Sequence, residues 1–116
     1  MDFIPSDLVI ENEYPKLVRD NIPSILVAKG LKPETRILEN QEFLDYLFKK
    51  TVEESTELLY SLKKGNTLEE LADLMELIET ILKVKGWSKE ELQGVMLEKR
   101  QKNGGFENKI LMLKRP

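Results

Sequence analysis

The sequence predicts an all-α fold: an antiparallel helical bundle with a short N-terminal arm and a C-terminal tail. Three observations carry this reading. Apolar residues recur at helical spacing through the middle of the chain. Gly30, Gly65, Gly86 and Gly104 each follow such a segment, at the position where a helix closes on a left-handed residue. Two Ser/Thr-x-x-Glu patterns, Thr67–Glu70 and Ser88–Glu91, mark helix starts as capping boxes.

In chain order, residues 1–15 hold two prolines and no period, which predicts an arm, with 1–13 as an extension of a single 1–116 domain. A short helix is expected from about Pro23, a good first-turn residue, to Gly30. Lys32–Glu39 is a connection, with a brief extended piece at Arg36–Leu38. A long helix over Gln41–Lys64 follows, with Asn40 as its N-cap and Leu44, Leu47, Phe48, Val52, Leu58, Leu59 and Leu62 as its core face. The next helix covers Thr67–Lys85, and the last runs from Ser88 to near Asn103. The segment Phe106–Pro116, with Ile110, Leu111, Met112 and Leu113, reads as a docked tail or a short strand.

Composition narrows the chemistry. The 116 residues contain no cysteine and no histidine, which excludes disulfides, thiolate nucleophiles, zinc sites of the usual N/S kind and Ser–His or Cys–His catalysis. Reaction chemistry is left to Asp, Glu, Lys, Arg, Tyr, Ser and Thr. Charged residues make up 34% of the chain but the net charge is only −3, so they read as a solvated helical surface with no basic excess for a nucleic-acid polymer. The start, MDFIPSDLVI, has neither a basic n-region nor a long apolar run, which predicts a cytoplasmic protein without membrane association.

Two acidic clusters stand out. Glu53-Glu54-Ser55-Thr56-Glu57 and Glu69-Glu70-Leu71-Ala72-Asp73 each repeat a carboxylate three residues on, which places both on one helix face. A solvated surface is the ordinary explanation of such a pattern, and Glu70 can also serve the Thr67 capping box. The second helix argues for more. Leu68, Leu71, Ala72, Met75, Ile78 and Leu82 form its main apolar arc, and Leu74, Leu77, Ile81 and Val84 extend that arc around the other side, beside Glu70 and Asp73. Carboxylates set among such neighbours lose water, and they then take up protons or bind a cation. Glu79 also falls on the main arc and has no assigned role.

The turn Gly65–Asn66 is short enough to make the two helices antiparallel neighbours. Glu54 and Glu57 lie eleven and eight residues before Gly65, and Glu70 and Asp73 lie four and seven after Asn66. At about 1.5 Å per residue the clusters differ in height by roughly one turn. Carboxylates meeting there make a hard-oxygen site suited to magnesium or manganese. Candidate phosphate cations are Lys16, Arg19 and Arg36 ahead of the long helix, and Lys99, Arg100 and Lys102 at the end of the last one, where basic residues also complement the helix dipole. Phe43, Tyr46, Trp87 and Phe106 are candidates to stack on a base, or core residues.

The pattern E-E-x-x-E followed by E-x-x-D on two helices resembles the all-α nucleotide pyrophosphatase superfamily, which includes MazG-type enzymes, dimeric dUTPases and phosphoribosyl-ATP pyrophosphohydrolase. The stretch from Tyr14 to Pro23 (YPKLVRDNIP) and that from Lys99 to Phe106 (KRQKNGGF) resemble its MazG-like, phosphoribosyl-ATP-pyrophosphohydrolase-like branch. The resemblance implies a magnesium-dependent hydrolase that converts a nucleoside triphosphate to monophosphate and pyrophosphate. It implies metal ligands at Glu54, Glu57, Glu70 and Asp73, a supporting carboxylate at Glu53, and phosphate contacts at Lys16, Arg19, Lys99 and Arg100. Alternatives are phosphoribosyl-ATP hydrolysis and, in a different class, a helical interaction module without catalysis. A homo-oligomer, at least a dimer, is expected through the Thr67–Lys85 helix, with Leu74, Leu77, Ile81 and Val84 as the residues that need cover.

Overall fold

In the computed structural model, residues 14–116 are described, and the expected arm over 1–13 lies outside them. Helix α1 (Ile22–Ala28) opens with proline in its first turn and closes through Gly30, as its pattern predicts. Helix α2 (Asn40–Lys64) starts one residue before the expected boundary. Glu39 is its extended cap residue, so Asn40 lies inside the helix and does not cap it. Helix α3 (Thr67–Lys85) and helix α4 (Lys89–Asn103) follow. The Ser88–Glu91 box forms in full: Glu91 N–H donates to Ser88 Oγ at 3.0 Å, and Ser88 N–H donates to Glu91 Oε1 at 3.3 Å.

The Thr67–Glu70 box does not form. Thr67 is already helical, and its hydroxyl meets the Ser61 hydroxyl at 2.8 Å across the turn. Glu70 Oε1 instead accepts from the Asn66 side-chain amide at 3.1 Å. Gly65, with φ 76°, supplies the left-handed residue that lets α2 reverse this tightly into α3. No strand occurs among the described residues, at Arg36–Leu38 or in the tail. Ile110, Leu111, Met112 and Leu113 are exposed, so the expected docked tail or strand is replaced by an open segment.

Among the described residues, α2 and α3 are the only helix pair that packs closely along its length. The seam on α2 is a seven-residue repeat of buried positions, Leu47, Glu54 and Ser61; Glu70 and Leu77 repeat the interval on α3. Leu47, Leu77 and Leu82 are the buried apolar residues.

The expected core arc of α3 holds only in part: Leu82 is buried and Ile78 half-buried, but its other members turn outward. Leu77 is buried, and Leu74, Ile81 and Val84 are half-buried, whereas Leu68, Leu71 and Met75 of the supposed core arc are exposed. Phe48, Val52 and Leu62 of the expected α2 core face are exposed too. A helix that is apolar on nearly every side does not fix its own rotation. Here the Ser61–Thr67 contact across a two-residue turn fits the observed one. Glu79 finds its role as an ion-pair partner, 2.7 Å from Lys89 at the start of α4. No helix of the described residues is long and apolar enough to cross a membrane.

Candidate metal centre

The α2–α3 seam carries the acids. One carboxylate oxygen each from Glu54, Glu70 and Asp73 lie within 4.8 Å of one another, and the same holds for Glu53, Glu54 and Glu57. Glu54 belongs to both groups, so the five residues expected from the sequence form two overlapping triads on adjacent helices. Glu54 and Glu70 are buried, while Glu53, Glu57 and Asp73 are half-buried on the margin.

Burial leaves these acids short of donors. Glu54 Oε2 and Glu70 Oε2 are both enclosed and have no hydrogen-bond partner. An ionised carboxylate in that state is costly, so the group either takes up a proton and loses its charge or keeps the charge by binding a cation. The electrostatics follow. Burial first, then the Glu57 charge, hydrogen bonding to Glu57 and Glu70, and the Asp73 charge push the Glu54 carboxyl up to about 8. Glu70 is also raised, again chiefly by burial and then by the charges of Glu57 and Asp73, against a lowering hydrogen bond from Glu54. A divalent ion satisfies the same oxygens without protonation, and an all-oxygen donor set of this kind fits magnesium or manganese.

Arg19 and Lys50 meet the cluster. Arg19 Nη2 donates to Asp73 Oδ1 at 2.7 Å, which brings the segment before α1 onto the hairpin. Lys50, one turn ahead of the first triad, sits 3.2 Å from Glu53 and 3.7 Å from Glu54. Sequence reasoning missed Lys50; its i,i+3 and i,i+4 spacing to Glu53 and Glu54 was the available signal. It missed Asn66 as well, whose amide is the donor to Glu70 Oε1.

Of the other expected phosphate cations, Arg36 and Arg100 pair with acids elsewhere. Arg36 forms a two-pronged pair with Glu42 at 2.9 and 2.7 Å. Lys16 lies over the Tyr14 ring, 5.2 Å from its centre. Arg100 pairs with Glu107 beyond the Gly104–Gly105 turn, and a side chain at Gly105 would collide with that pair. Lys99 and Lys102 are exposed on α4. Of the aromatic candidates, Trp87 and Phe106 are exposed, Phe43 and Tyr46 half-buried. Lys85 stands over Trp87 at 5.6 Å and Lys49 over Tyr46 at 5.9 Å. No family model matches the chain, and no curated protein or solved structure matches it.

Proposed function

We propose that the chain is a magnesium-dependent nucleotide pyrophosphohydrolase. It converts a nucleoside triphosphate to a monophosphate and pyrophosphate, and clears unwanted nucleotides in the cytoplasm. The observation that supports this best is the pair of enclosed, donorless oxygens on Glu54 and Glu70, flanked by Glu57 and Asp73. A surface module has no physical reason to hold carboxylates at core positions of a tight helix pair.

Glu54, Glu57, Glu70 and Asp73 would hold the ion, manganese serving in place of magnesium. Such an ion neutralises phosphate oxygens and lowers the pKa of a water. Glu53, half-buried in the first triad, orients the attacking water and accepts its proton. The water oxygen bonds to the α-phosphorus, the bond from that phosphorus to the bridging oxygen breaks, and pyrophosphate departs with the electron pair. Arg19 meets the charge that develops on the phosphates, and Lys50 holds Glu53 and Glu54 in place. Self-association, at least as a dimer, belongs to the same reading.

The test is a panel of canonical and modified nucleoside triphosphates, with phosphoribosyl-ATP included, assayed for pyrophosphate release with magnesium or manganese. Metal-dependent turnover of a triphosphate is the expected result. Turnover of phosphoribosyl-ATP alone would move the activity to histidine biosynthesis, and no turnover on any member would end the enzyme reading.

A further inference from the structure

The two buried acids of the seam, Glu54 at 6% exposure and Glu70 at 9%, share a pattern. In each, one carboxylate oxygen faces a donor of the chain and the other faces none. Asn66 Nδ2 donates to Glu70 Oε1 at 3.1 Å, and Lys50 Nζ stands 3.7 Å from Glu54 Oε1. Glu70 Oε2 and Glu54 Oε2 are enclosed and have no hydrogen-bond partner among the described residues. Lys50 is divided between Glu54 and Glu53, from which it lies 3.2 Å, so the tighter of the two restraints is the one on Glu70.

Asn66 is tied to Glu70 twice. Glu70 N–H donates to the Asn66 carbonyl at 3.2 Å, and the Asn66 side-chain amide donates back to the Glu70 carboxylate. Gly65, in its left-handed conformation, sets Asn66 in the turn, and the Ser61–Thr67 hydroxyl contact closes the turn around it. Asn66 stands at the cap position of α3, where an asparagine side chain ordinarily accepts from the first N–H groups of the helix. It makes no such bond, and its Oδ1 is enclosed without a partner. The opposite orientation of the amide would set that oxygen against a carboxylate oxygen. The side chain thus leaves the helix start uncapped and its own acceptor unsatisfied, and what it achieves is a fixed Glu70.

A carboxylate with one oxygen already taken suits one divalent ion better than another. Calcium takes about six to eight oxygens at about 2.3–2.6 Å and readily uses both oxygens of a carboxylate. Magnesium requires near-octahedral geometry at about 2.0–2.1 Å, with vertices farther apart than the two oxygens of one carboxylate. We propose that Asn66 is a positioning residue that holds Glu70 to a single ion-facing oxygen and thereby favours magnesium over calcium at the seam. The inference rests on the reading of the seam as a divalent-ion site. Without Asn66, Glu70 Oε1 is free to join Oε2 on the larger ion, while the smaller ion loses a ligand held in place.

Calorimetric titration of the natural chain and of Asn66→Ser with magnesium and with calcium, in the absence of nucleotide, tests this. Serine caps a helix about as well as asparagine but is too short to hold the Glu70 carboxylate as the amide does. Magnesium affinity is expected to fall by about tenfold or more, and calcium affinity to hold or rise, so the ratio of the two shifts by at least about tenfold. A merely structural role for Asn66 would weaken both ions alike, so an equal loss, or no change in either affinity, overturns the proposal. Asn66→Gly removes the side chain at a cap position that glycine tolerates, and should repeat the shift. Loss of helical circular dichroism in both variants would make Asn66 a folding residue and overturn the proposal as well. A natural chain that binds neither ion ends the ion site and this inference together. A natural chain that binds both, with a ratio that ignores Asn66→Ser, ends this inference alone.

Discussion

Glu54 and Glu70 bring carboxylate oxygens within 4.8 Å of each other across the α2–α3 seam, one heptad from Leu47 and Leu77 respectively. Leucine at both places would pack the hairpin better. Two acids there lower the stability of the metal-free chain and create a demand for positive charge in the tightly packed α2–α3 seam. Glu54→Gln keeps the shape, removes the charge and supplies a donor for Glu70. The metal-free variant is expected to be more stable than the natural chain at alkaline pH, by on the order of 1 kcal/mol. A lower urea midpoint for the variant under those conditions would contradict this.

The pH dependence has a definite sign. The Glu54 carboxyl is raised from an ordinary 4.5 to about 8 in the folded chain, so the folded state holds its proton more tightly than the unfolded state. The stability this contributes is fully present below 4.5 and is lost as pH rises through about 8. Metal-free protein should therefore lose stability between those values, and Glu54→Gln should flatten that part of the profile. A natural chain that gains stability over the same interval would contradict the assignment of the proton to Glu54.

Glu57→Gln and Asp73→Asn each remove a marginal anionic ligand while keeping its shape. Pyrophosphate release is expected to fall by about 100-fold or more, with the far-ultraviolet circular dichroism unchanged. Residual activity in the tens of per cent for both variants would take these residues out of the site.

Arg19 and Asp73 form an exposed pair, so its loss should alter stability by less than about 1 kcal/mol. The proposed contact with phosphate makes a different demand on the same side chain. Arg19→Gln is expected to lower kcat/KM by about tenfold or more while leaving the urea midpoint nearly unchanged. Unaltered kcat/KM would reduce the pair to a surface contact.

Much of the fold was legible because its signals are local. The four helices, the Ser88–Glu91 cap and the tight Gly65–Asn66 reversal each follow from a few adjacent residues, and that reversal brings Glu54 toward Glu70 and Asp73. The rotation of α3 was legible only in part. It is apolar on several sides, and Leu77 and Met75 carry nearly equal claims to the core; a contact between Ser61 and Thr67 accompanies the choice between them. The Thr67–Glu70 box failed for the same reason, since the hydroxyl that should cap the helix meets Ser61 across the turn. The distant cations divided: Arg19 reaches Asp73, but Arg36 and Arg100 found nearer acids in Glu42 and Glu107. Spacing along one helix does not reveal competition of that kind.

The central claim is that the seam carboxylates form a preformed site for a divalent ion, and thermal melting with increasing magnesium tests it most directly. An ion that binds only the folded chain stabilises it by about 2.7 kcal/mol at a hundredfold excess over its Kd. The natural chain should melt several degrees higher in millimolar magnesium than in chelator, and Glu70→Gln should lose most of that rise. An unchanged melting temperature in magnesium and in manganese would contradict the claim.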